Sequence, residues 1–75
     1  MTGQGKSDHQ RCKEAVLKEL ATMGATLDKP IDLYLIGPTL VLAGFTEQQI
    51  VNALDSLVYD KRIEYAGGNR VRLTR

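Results

Sequence analysis

Very few side chains in this 75-residue chain have the type and spacing that bond-making chemistry needs. Cys12 is the single cysteine and His9 the single histidine. Cys12 has no second thiol with which to close a disulfide or share a metal, so it reads as a small buried side chain on a first helix. His9 has no Cys or second His at ligand spacing and reads as a solvated polar residue beside a helix start. The carboxylates fall on scattered positions, and no nucleophile stands at a suggestive distance from a histidine base, which points away from an enzyme. Gly67-Gly68 has the composition of a phosphate-cradling loop, but such a loop opens a helix and here a strand pattern follows, so it reads as a turn. No metal or cofactor is expected.

What remains is the chemistry of binding. The net charge of +1 hides an uneven distribution: residues 61–75 carry Lys61, Arg62, Arg70, Arg72 and Arg75 against Glu64, whereas residues 1–60 are net acidic. A basic end on an acidic body can orient the molecule toward a polyanion. Charged strand residues that simply face water explain the same pattern.

The elements that must position these groups are bounded by size. A chain this short buries only about 60% of its unfolded surface, enough for one domain with one modest core and too little for a deep cleft. An apolar fraction of 43% and a charged fraction of 25% are those of an ordinary globular domain, neither disordered nor membrane-embedded. The longest apolar run, Ile31 to Phe45, is broken by Asp32 and Pro38 and falls short of the roughly 20 residues of a membrane helix. With no apolar stretch behind the N-terminal charge, a cytoplasmic location is the expectation.

Residues 1–7 read as a flexible tail ahead of one domain over 8–75. Ser7 and Gln10 have the form of a capping box, and Cys12, Val16, Leu20 and Met23 make one apolar stripe, giving a first helix from Asp8 to Met23 with Gly24 to end it. Residues 25–45 leave two readings open. One is a short strand near Ile31, set by Pro30, then a short helix opened by Pro38; the other is a single kinked helix from Leu33 to Ala43. Either stops at Gly44. Thr46 and Gln49 form a second capping box, and Phe45 with Ile50 a hydrophobic staple. Ile50, Ala53, Leu54 and Leu57, widened by Val51 and Val58, then form the buried stripe of a third helix from Glu47 to Tyr59. Ile63 and Tyr65, and Val71 and Leu73, alternate with charged residues around Ala66-Gly67-Gly68-Asn69, which is a β-hairpin.

The run Gly44-Phe45-Thr46-Glu47-Gln48-Gln49-Ile50-Val51-Asn52-Ala53-Leu54-Asp55-Ser56-Leu57, followed by Asp60-Lys61-Arg62-Ile63-Glu64-Tyr65 and Arg70-Val71-Arg72-Leu73, resembles the winged helix-turn-helix superfamily. The resemblance implies an α+β fold of three helices with a C-terminal hairpin wing. It also implies that the third helix offers its outer face to a partner. Helical spacing puts Gln48, Gln49, Asn52, Asp55, Ser56 and Tyr59 opposite the core stripe. Gln and Asn can read adenine in the major groove and Ser either type of base pair, so double-stranded DNA and transcription regulation are the first expectation. Phosphate contacts then fall to Lys61, Arg62, Arg70 and Arg72, with Arg11, Lys13 and Lys18 on the first helix. That outer face holds no Lys or Arg, and Asp55 repels phosphates. The alternative is docking to another protein, with Tyr59 as the anchor. Any dimer must use surface already present, and the apolar stretch from Ile31 to Leu42 is the candidate.

Overall fold

The computed structural model describes residues 7–74. The expected tail over residues 1–6, and Arg75, lie outside the described residues. Ser7 does not belong to a tail, because its hydroxyl caps the first helix by accepting from the Gln10 N–H at 3.1 Å.

The elements in chain order are α1 (Asp8–Thr22), β1 (Ile31–Asp32), α2 (Leu33–Leu42), α3 (Glu47–Tyr59), β2 (Ile63–Tyr65) and β3 (Arg70–Leu73). The fold is therefore α+β, with three helices against a three-stranded antiparallel sheet of order β1-β3-β2. In α1 the N-terminal box is only half made: the Gln10 amide turns forward to Glu14 instead of back to the cap. In α3 both halves form, with Thr46 Oγ1 accepting from the Gln49 N–H at 3.1 Å and Gln49 Oε1 accepting from the Thr46 N–H at 2.8 Å. Each cap satisfies donors that a helix start otherwise leaves bare.

Residues 31–43 combine the two sequence readings. Ile31 and Asp32 form the expected strand, pairing with Val71 and Arg70. The helix then begins at Leu33 rather than at Pro38. Asp32 supplies the start signal, its Oδ1 accepting from the Tyr34 N–H at 2.8 Å. The Leu33 N–H is taken by the carbonyl of Asn69 in the hairpin turn at 2.6 Å. Pro38 sits inside α2, where it has no N–H to give to the Tyr34 carbonyl one turn earlier.

The hairpin forms as expected, Ile63 pairing with Leu73, Glu64 with Arg72 and Tyr65 with Val71. Gly67 and Gly68, at φ of 87° and 57°, make its turn. The core lies where the three helices meet the inner sheet face. It is built from Cys12, Val16 and Leu20 of α1, Ile36 and Leu40 of α2, Ile50, Ala53, Leu54 and Leu57 of α3, and Ile31, Ile63 and Val71 of the strands. Among the described residues no polar or charged side chain is buried. Phe45 is half-buried against this cluster, while Val51, expected to widen the buried stripe, is 48% exposed.

Candidate interaction surfaces

The outward face of α3 is polar but mostly committed to itself. Gln48, Asn52, Asp55 and Tyr59 lie along it and are exposed. Gln48 Nε2 donates to Asn52 Oδ1 at 3.0 Å. Asp55 Oδ1 accepts from the Tyr65 hydroxyl at 3.2 Å. Burial raises the Tyr65 phenol above its ordinary value, and the hydrogen bond to Asp55 and that carboxylate's charge add to the shift. Gln49 and Ser56, expected on the same face, are half-buried on the flank toward α1. The Gln49 amide closes the cap, and Ser56 Oγ lies 2.9 Å from His9 Nε2, so His9 ties α1 to α3 instead of being merely solvated. Cys12 is fully buried, and burial pushes its thiol up. A group held protonated in this way is a poor nucleophile.

The basic end does not become a uniformly basic surface. Arg72 is held by Glu64, with Nε and Nη2 at 3.0 and 2.7 Å from the same carboxylate oxygen. The ladder also places Arg70 opposite Asp32, so the outer sheet face alternates in sign. Lys13 pairs with Asp60 at 2.9 Å and Arg11 with Asp8 at 3.4 Å. Among the described residues, Lys61, Arg62 and Arg70 have no ion pair. Carboxylates stand at the starts of α2 and α3, namely Asp32 and Glu47.

A different surface stands out between α2 and α3. It is a groove of about 910 Å³ whose walls include Tyr34, Gly37, Pro38, Val41 and Leu42 of α2 and Ile50, Val51 and Leu54 of α3. Glu47 is the one charged residue among those that line it. Tyr34 is 74% exposed and Leu42 89%, and Leu35 and Val41 are about half bare. The sequence signal for this face is the run of ten residues in α2 without a single charge. What the run leaves open is which side of the helix is buried, because its apolar residues occupy every side. Ile36 and Leu40 take the core, Leu33 packs partly against it, and Tyr34, Leu35, Val41 and Leu42 are left to solvent. No helix is long and apolar enough to cross a membrane, among the described residues. No known protein family, curated protein or solved structure matches the chain.

Proposed function

We propose that the chain is a small, non-catalytic binding module of the winged helix-turn-helix kind that docks onto a protein through the apolar groove between α2 and α3. The observation that carries this reading is α2 itself: ten residues with no charge, four of whose large apolar side chains face solvent. A helix that is apolar all round is normally covered on every side. In a helix-turn-helix on DNA the helix before the recognition helix crosses the phosphate backbone. Here that helix offers no cation, and Asp32 and Glu47 put carboxylates where phosphates would approach. Tyr59, 87% exposed, lies outside the groove on the outward face of α3.

Photo-crosslinking tests the reading directly. A light-activated phenylalanine analogue placed at Leu42 or Tyr34 in the expressing cell is expected to give a discrete covalent protein adduct. The same analogue at Glu64, on the outer sheet face, is expected to give none. No adduct from either α2 position, or equal adducts from all three, would sink the docking reading.

DNA binding is the second reading, and two observations favour it: Gln48 and Asn52 face solvent on α3, and Lys61, Arg62 and Arg70 are free of ion pairs among the described residues. Its test is the titration of a mixed-sequence duplex at about 50 mM salt, where saturable binding is the outcome it expects.

A further inference from the structure

Resting on the docking reading above, we propose that the protein seated in the α2–α3 groove is a second copy of this chain, giving a two-fold dimer with the two α2 helices antiparallel.

Three features of the surface favour self-association over a different partner. The first is area. Of the residues lining the groove, Tyr34, Val41, Leu42 and Val51 keep between about half and nine-tenths of their surface, on the order of 500 Å², which is within the range of the largest patch of an ordinary monomer. It is most of the roughly 800 Å² that each partner contributes to a standard interface. The second is charge. With Glu47 alone on the rim, the groove offers no complement to a charged peptide and little repulsion between two identical faces. The third is shape. An isologous contact requires one patch to be both knob and hole. Leu42 and Tyr34 project from α2, and the groove runs beside them.

The spacing along α2 gives the geometry. Tyr34 and Leu42 lie four residues to either side of Pro38. An antiparallel pairing about a two-fold axis at Pro38 therefore sets Tyr34 of one copy opposite Leu42 of the other. Gly37, next to that axis, has no role within its own chain that requires a missing side chain: a Cβ built there meets no atom within 4 Å. Glycine inside a helix weakens it relative to alanine. Its presence at the groove wall fits a close approach by the backbone or side chains of another copy.

Sedimentation velocity on the full chain, from about 1 to about 300 µM, reads the result. The wild type is expected to pass from the 8.3 kDa monomer to twice that mass over this range. Leu42→Asp, at a position with almost no intramolecular packing, is expected to keep its helical circular dichroism and to stay monomeric throughout. Gly37→Ala separates folding from association: the denaturation midpoint of the dilute chain should rise while the dimer weakens at least tenfold. Pro38→Cys should form an intermolecular disulfide under mild oxidation, since the native thiol is buried, and Glu64→Cys should not. A wild type that remains monomeric at the top concentration overturns the dimer, as does a dimer indifferent to both Leu42→Asp and Gly37→Ala. The crosslinked adduct tells the two failures apart. An adduct of another mass from Leu42 leaves docking standing without the dimer, and the absence of any adduct removes both.

Discussion

Lys61 sits at φ 62°, in the left-handed region just past the end of α3, where the Arg62 N–H reaches back to the Leu57 carbonyl at 2.9 Å. The same position after α1 and α2 is held by Gly24 and Gly44. A side chain there costs about 1 kcal/mol that glycine avoids, so Lys61→Gly is expected to stabilise the chain by up to about 0.5 kcal/mol in urea unfolding, after the added freedom of the unfolded chain is counted. A loss of stability would mean that the lysine side chain holds the turn. Tyr65 makes a prediction of the opposite sign with pH. Its phenol is raised from the ordinary 10.0, first by burial and then by Asp55. The folded chain therefore keeps this proton more tightly than the unfolded one. The stabilisation is complete below the unfolded value and is lost as pH rises through the folded one. Half-exposure of the ring keeps the effect small. Comparing urea midpoints at about pH 8 and about pH 10.5, the alkaline loss in wild type should exceed that in Tyr65→Phe. Equal losses would remove Tyr65 from the account.

Among the elements, α3 and the hairpin were readable from sequence because independent signals agreed on each. Thr46, Gln49, Phe45 and Ile50 fixed the helix start, and a period of two on either side of Gly67-Gly68 fixed the strands. The first helix was legible for the same reason, except that Gln10 had a competing partner in Glu14. The start of α2 stayed open between Leu33 and Pro38 because Pro38 is a strong local signal for a first turn, whereas the actual start at Leu33 depends on the distant carbonyl of Asn69 and on β1 pairing with β3. No window of sequence around Pro38 contains those partners. The same reason hides the groove, since periodicity cannot choose a face on a helix that is apolar on all of them. The consequence for stability is local. Two buried residues, Ile36 and Leu40, hold α2, against four in α3, and Gly37-Pro38 weakens it from within. In the dilute chain, amide hydrogen exchange over residues 39–42 is expected to run at least tenfold faster than over residues 53–57. Equal protection would show that α2 opens only with the whole molecule.

At the scale of the whole molecule, the question is whether a charge asymmetry in the sequence becomes a field in space. The basic block at 61–75 points toward a polyanion when counted along the chain, but folding brings Glu64 onto Arg72, Asp32 opposite Arg70 and Asp60 onto Lys13. Long-range attraction to phosphates depends on cations that share a face without neighbouring carboxylates. Lys61, Arg62 and Arg70 are what remains of that block among the described residues, with Lys18 on α1 and Lys29 ahead of β1 as the other cations outside an ion pair, and α2 and the outward face of α3 contribute none. A mixed-sequence duplex titrated at about 50 mM salt is therefore expected to leave fluorescence anisotropy unchanged, as the docking reading requires. Saturable binding would instead favour the DNA reading, and the variants then have an order. Arg70→Ala should weaken binding to all sequences and lower the logarithmic salt slope by about one unit. Arg72→Ala should do less, because in the free chain Glu64 already neutralises that side chain at 2.7 Å. Gln48→Ala or Asn52→Ala should flatten sequence preference by about 1–3 kcal/mol at one base pair. The ordering follows from the fold, since the two arginines are equivalent by sequence alternation and each faces a carboxylate across the ladder, but only Arg72 closes an ion pair with the one it faces.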